Sequence, residues 1–309
     1  MFSSTRPAVP LGVSLLKPRH KMPRRIHLHL PGVNPYNPGF VVRESEVWKE
    51  PCVAKRSPLA EKLEEVKSRI AAAAVKAKRD PAEVTLIAVT KSAAPEQIRE
   101  ILTLGVSDLG ESRVQVLTQR AGQINEFLQR RLVHGDAAEA PTKVRWHMIG
   151  HLQRNKIKPV LPIVHNIQTI DSLRLAEELD VQAAKISRRV PVMLQVNASE
   201  EVQKYGVAVG AAVHLAEQID SMPNLQLVGL MTMGPLEGTE PQIRAVFTRT
   251  REIFEEMRWL KIGGSSLRHL SMGMSHDFES AIAEGATMVR IGSALFGGKA
   301  MDHHEDGED

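Results

Sequence analysis

From about residue 58 the chain alternates short apolar, β-branched runs with amphipathic stretches, and this alternation constrains its fold more than any other feature. The strand-like runs are Val84–Val89, Val106–Leu109, Val144–Ile149, Ile163–Ile170, Val190–Val196, Leu227–Met231, Leu267–Met272 and Met288–Ile291. Between most of them lie helical stretches such as "PEQIREILTLG", "DSLRLAEELDVQAAKIS", "AAVHLAEQI", "EPQIRAVFTRTREIFEEMRW" and "DFESAIAEGA". Only the segment near "LQRNKIKPVLP" is short and of unsettled type. A further helix precedes the first strand: a Ser-Pro start is followed by Leu59, Leu63, Val66 and Ile70, three or four apart, on one face. Eight strand–helix units favour an α/β fold closed as a single-domain (β/α)8 TIM barrel. The alternative is an open doubly wound sheet, but the G-x-G-x-x-G turn expected after its first strand is absent.

No composition break divides residues 58–300, which are therefore read as one domain. Ahead of it, residues 1–57 form a basic, Pro-rich extension, and residues 301–309 an acidic tail. Residues 1–43 hold seven Lys/Arg and no acid, which turns the overall +4 into −3 for everything after them. The basic character thus belongs to the extension and not to the body, and a nucleic-acid partner is not expected. Seven prolines without period mark residues 1–43 as disordered in this reading, with an organelle transit peptide as the rival. No apolar run is long enough to cross a bilayer, and the single cysteine, Cys52, excludes an intrachain disulfide and fits a reducing compartment. A cytoplasmic monomer is the expectation.

In a closed parallel barrel, chemistry sits at the C-terminal ends of the strands. Those positions are Lys91; Glu111 and Ser112; His147 and Gly150; Thr169 and Asp171; Asn197; Met231 and Thr232; Ser271 and Ser275; and Arg290, Gly292 and Ser293. They are mostly polar, although most of the strands before them are apolar. In "MVRIGSALFGG", Gly292-Ser293 opens a short helix, whose N–H groups and hydroxyl can donate to an anion. The preceding unit, "LSMGMSHDF", adds Ser271, Gly273 and Ser275 before another helix start. Phosphate sites in such barrels are often built after strands seven and eight, so this pair of loops reads as a phosphate cup.

Lys91 ends the first strand. Its ammonium can bind a phosphate electrostatically, or its neutral amine can attack an aldehyde if the apolar barrel desolvates it. An aldehyde that also carries a phosphate describes pyridoxal phosphate. The plain alternative is a lysine whose head reaches solvent.

The blocks "LIAVTK", "LGESRVQ", "WHMIGHLQRNK", "QTIDS", "QVNASEEVQKYGV", "GLMTMGP" and "LSMGMSHDFESAIAEGATMVRIGSALFG" resemble, in order, those of the pyridoxal-phosphate homeostasis proteins, the proline-synthetase co-transcribed homologue family. The resemblance implies a barrel like the alanine racemase N-terminal domain, with pyridoxal 5'-phosphate (PLP) held as a Schiff base on Lys91. It places Arg290 at the pyridine nitrogen and Ser271, Ser275, Gly292 and Ser293 around the phosphate, with the Met274 N–H as a further donor. Ser112 stands where the family usually carries Asn, offering one hydroxyl in place of an amide. His147 joins the cofactor-side set.

An arginine cannot accept a proton from the pyridine nitrogen and disfavours its protonation, which makes the ring a poorer electron sink. Tyr36 and Tyr205 are the only tyrosines, so an opposing tyrosine acid/base is hard to find. The reading is a PLP store, buffer or delivery protein, with apo PLP-dependent enzymes as recipients. Its alternatives are a PLP-dependent amino-acid racemase or lyase, and a cofactor-free barrel for another phosphorylated metabolite.

Other motifs have plainer readings. His147 and His151 lie some 13 Å apart on a strand at about 3.3 Å per residue, which does not suit a shared metal. Asp171, Glu177 and Glu178 read as capping and solvating a helix. Met231, Met233, Met272 and Met274 read as core packing or a cofactor wall. The "QVNASEEVQKYGV" segment reads as a loop over the barrel mouth, with Lys204 exposed.

Overall fold

The computed structural model describes residues 56–134, 141 and 143–297. The readings made of residues 1–55 and 298–309 lie outside them.

Helix α1 (Pro58–Lys76) starts where the sequence signals it: the Ser57 hydroxyl accepts the Ala60 N–H at 3.1 Å and proline occupies the first turn. Its face of Leu59, Leu63, Val66, Ile70 and Ala74 is buried. The chain then alternates through β1 (Thr85–Val89), α2 (Pro95–Thr103), β2 (Asp108–Glu111), α3 (Val114–His134) and β3 (Arg145–Met148). The unsettled segment folds as a 3-10 turn at Arg154–Lys156 and the one-turn helix α4 (Ile157–Val160). Next come β4 (Val164–Ile170), α5 (Leu173–Lys185), β5 (Val190–Asn197), β6 (Val207–Ala208), α6 (Val209–Asp220), β7 (Leu225–Met231) and α7 (Glu240–Trp259). The chain closes with β8 (His269–Ser271), α8 (Phe278–Ala283), β9 (Met288–Ile291) and the four-residue α9 (Ser293–Phe296).

Every strand pairing is parallel. The order runs β1, β2, β3, β4, β5, β7, β8, β9, and β9 pairs back onto β1, so these eight strands close a barrel. The expected barrel is thus the observed one. The two-residue β6, which the sequence pattern did not suggest, sits outside the barrel on the end of β5.

Most of the core lies between the strands and the surrounding helices, as the near-continuous apolar runs require of strands buried on both faces. Inside the barrel a small apolar cluster of Ile87, Met193, Val228, Met231 and Met288 fills one part of the space, with Met233 packed against it. The rest is polar: His147, Gln168 and Ser271 are each almost wholly buried. Of the methionines, Met231 and Met233 belong to this inner cluster, whereas Met272 packs in the outer core.

Candidate functional site at the C-terminal ends of the strands

The turn after β1 is built from below. Thr90 is fully buried. Its N–H donates to the Gly110 carbonyl at 2.9 Å, and its hydroxyl to Glu111 Oε2 at 2.9 Å. Arg120, on α3, donates to the same Glu111 oxygen at 2.6 Å, to the Ala93 carbonyl at 3.0 Å and to the Thr90 carbonyl. One guanidinium therefore grips both sides of the turn that carries Lys91. Lys91 itself is exposed, as in the plain alternative of a lysine whose head reaches solvent.

The register between β1 and β9 pairs Ala88 with Ile291. Gly292 follows directly and lies against the end of β1: a Cβ there would stand 3.4 Å from both the Val89 Cβ and its carbonyl oxygen. Sheet pairing alone thus brings the first-strand lysine turn beside the glycine that opens α9.

The β8 and β9 loops are tied together where the Ser275 hydroxyl accepts the Ala294 N–H at 3.3 Å, leaving the hydroxyl proton to donate elsewhere. The Ser293 N–H heads α9 and has no intrahelical acceptor. Gly273 takes φ +95°, and a Cβ there would meet the Ala281 Cβ at 2.7 Å and the Phe278 Cα at 2.8 Å, so glycine is required. Two expected donors are otherwise engaged. The Met274 N–H donates to Asp277 Oδ1 at 2.6 Å. Ser271 is fully buried with its hydroxyl bonded to Arg290 and Gln168, so it supports the guanidinium rather than lining the anion cup. Burial pushes the Asp277 carboxyl up, against the pull of the Met274 N–H and of Arg290.

Arg290 is 4% exposed. It donates to Ser271 Oγ and to the Thr232 carbonyl, both at 2.8 Å. Desolvation pulls its pKa down to about 10, opposed by Asp277, so it stays charged at neutral pH.

His147 is buried with both ring nitrogens occupied: Nε2 lies 3.0 Å from Asp108 Oδ1 and Nδ1 3.1 Å from Gln168 Nε2. Both ring nitrogens are thus hydrogen-bonded within the protein. Ser112 is half-buried at the end of β2, and its backbone packs against Gly150.

The loop after β5 is closed down. Asn197 Nδ2 donates to the Glu201 carbonyl at 2.8 Å, and Lys204 Nζ to the Gly234 carbonyl at 2.7 Å, with Glu201 Oε2 at 2.8 Å. Lys204 is thus engaged rather than free in solvent. Tyr205 stacks on His151 with ring centroids 4.1 Å apart, and His151 Nδ1 lies 3.2 Å from Asp171. Asp171 therefore pairs with a histidine instead of capping α5. A cavity of about 660 Å³ opens here, lined by His151, Arg154, Asp171, Arg174 and Glu178 among others; neither Lys91 nor Arg290 lines it.

Sequence reasoning missed Arg120, Asp108 and Gln168. Arg120 and Gln168 are polar residues in the middle of elements, a pattern that does not say which way a side chain faces.

The donor set suits a phosphorylated aldehyde. Lys91 after β1, the Ser275 hydroxyl with a proton to donate, the Ser293 N–H and the buried Arg290 guanidinium all lie at the C-terminal ends of the strands, and these are the groups that an aldehyde bearing a phosphate would need.

A protein-family model described as "Alanine racemase, N-terminal domain" matches residues 56–300. The chain is 38% identical over 244 residues to a Pseudomonas aeruginosa protein named "Pyridoxal phosphate homeostasis protein", covering 79% of this chain and 96% of that protein. Among solved structures, an unknown protein from Bifidobacterium adolescentis aligns with a TM-score of 0.70 at 36% identity, over 77% of this chain and 94% of that one. PipY of Synechococcus elongatus, solved with PLP bound, aligns with a TM-score of 0.62 at 30% identity, over 77% of this chain and all of its own. The chain belongs to the pyridoxal phosphate homeostasis protein family, built on the alanine racemase N-terminal domain.

Proposed function

We propose that this chain binds pyridoxal 5'-phosphate at the Lys91 end of the barrel and serves intracellular PLP homeostasis, storing, buffering or delivering the cofactor. The observation that carries this reading is the β1–β9 register, which sets the Lys91 turn beside Gly292. The family membership and the PLP-bound relative support it.

PLP supplies an aldehyde, a pyridine ring and a phosphate. In this reading the Lys91 amine would hold the cofactor covalently, and the aldehyde would supply the carbonyl for that condensation. The reaction is reversible, which suits holding and release. The Ser275 hydroxyl and the Ser293 N–H hold the phosphate, and Arg290 faces the pyridine nitrogen and keeps it unprotonated. The Met274 N–H and the His147 ring, already bonded within the protein, serve as structure around the ligand, and the Ser112 hydroxyl is a further donor to it.

The role proposed is non-catalytic, in a monomer, with apo PLP-dependent enzymes as recipients. A racemase or lyase needs an acid/base group facing the lysine across the ring, and Tyr205, the one tyrosine among the described residues, is stacked on His151. Purified protein loaded with PLP should restore activity to an apoenzyme and should not exchange the α-deuterium of amino acids. Sustained loss of that deuterium would assign the racemase or lyase chemistry instead.

A further inference from the structure

The barrel interior carries a chain of hydrogen bonds from one end to the other. Arg290 donates to Ser271 Oγ at 2.8 Å, and Ser271 donates to Gln168 Oε1 at 2.7 Å. Gln168 Nε2 donates to His147 Nδ1 at 3.1 Å, and His147 Nε2 meets Asp108 Oδ1 at 3.0 Å. Asp108 sits at the start of β2, where Arg145 Nε donates to the same carboxylate at 2.7 Å. Ser271, Gln168 and His147 are each no more than 1% exposed.

The direction of donation is fixed by what each atom can do. A guanidinium has no acceptor, so Ser271 must accept from Arg290 and give its own proton away. Because Ser271 is fully buried, that proton needs an acceptor, and Gln168 Oε1 is the one in place. This orientation turns the Gln168 NH₂ towards His147, which must accept at Nδ1 and so carry its proton on Nε2, towards Asp108. Reversing the amide would strand the Ser271 proton.

We infer that Gln168 is a positioning residue for Arg290: its Oε1 takes the Ser271 proton, so that Ser271 accepts from the guanidinium and holds it for the pyridine end of the cofactor, and the same amide orientation sets the tautomer of His147. Every donor in the chain points from Arg290 to Asp108. The carboxylate at the barrel floor is thus the final acceptor for an orientation set at the cofactor end. The inference rests on the PLP reading for its consequence, but the chain itself can be examined without PLP.

The test has two arms. In the first, nitrogen-15 shifts of His147 are measured in the full-length wild-type protein without added cofactor. The expected result is a proton on Nε2 and none on Nδ1; a proton on Nδ1 overturns the inference. In the second, PLP affinity is measured for Gln168→Leu and Gln168→Glu. Leucine removes the acceptor for Ser271 and should weaken PLP about tenfold, the scale of one buried hydrogen bond. Glutamate keeps an acceptor for Ser271 but has no proton for His147. It should therefore recover most of the affinity while His147 gains protons on both ring nitrogens. Equal losses in the two variants, or no loss in Gln168→Leu, overturn it. Should Gln168→Leu fail to fold, Ser271→Ala takes its place with the same tenfold expectation, and no loss there overturns the inference. Failure of the wild-type protein to bind PLP at all would instead count against the functional reading, and the first arm would still decide the hydrogen-bond chain.

Discussion

Arg120 and Glu111 meet at 2.6 Å, with the glutamate side chain 1% exposed, and together they clamp the turn that presents Lys91. The arginine comes from the middle of α3, the glutamate from the last residue of β2, and the turn they hold follows β1. Three elements are thus fixed by one ion pair, with Thr90 as its third partner through the same carboxylate oxygen.

Removing one member of such a pair leaves the other charged, buried and without its partner. Arg120→Ala should destabilise the protein by about 3 kcal/mol in urea unfolding. It should also weaken PLP binding, because the Thr90 and Ala93 carbonyls lose their donor. A surface arginine such as Arg130, paired with exposed Glu126, gives the comparison: its alanine variant should change stability by less than about 1 kcal/mol.

Gly150 has no room for a side chain, since a Cβ would run into the backbone of Ser112. Gly150→Ala must push the β2 and β3 loops apart. The expected cost is about 2 kcal/mol, the scale of overpacking against atoms that cannot turn aside. Thermal unfolding reads the stability loss, and PLP titration should show weaker binding from displacement of Ser112. An unchanged melting temperature would mean that the loops separate freely.

Acid should unfold the barrel through its floor. Burial by itself would raise the Asp108 carboxyl, but hydrogen bonds from His147 and Arg145 outweigh it and hold it at about 2, against an ordinary value of 3.8. A carboxyl depressed on folding stabilises the protein fully above its unfolded value, and that contribution is lost as pH falls from about 5 towards 2. Its size is about 2 kcal/mol. Burial also lowers His269. The unfolded chain therefore takes up protons first there, and stability declines as pH drops through the ordinary histidine range. Urea midpoints measured across pH 3–7 should fall in both windows, and Asp108→Asn should flatten the lower one.

The fold was legible because each strand run is long enough and apolar enough to need cover on both faces, which only the alternating helices supply. The placing of Lys91, Ser275, Arg290 and Gly292 at the strand ends was legible because a barrel brings those ends together whatever the details of packing. What the pattern hid was how polar groups are shared. Ser271 and Ser275 look alike in "LSMGMSHDF", yet the first is buried against a guanidinium and the second is tied to the Ala294 N–H. The strand parity that turns Ser271 inward depends on register with β7 and β9, a relation between distant segments. Asp277 was hidden for the same reason. Its role as acceptor of the Met274 N–H is a three-residue turn that the sequence allowed but did not demand.

A covalent bond between Lys91 and PLP decides the proposed site. The direct measurement is borohydride reduction of the purified protein incubated with PLP, followed by intact-mass analysis and peptide mapping. One pyridoxyl-phosphate adduct per chain is expected, on Lys91, with none in Lys91→Ala. An adduct on another lysine, or none in the wild-type protein, would contradict it.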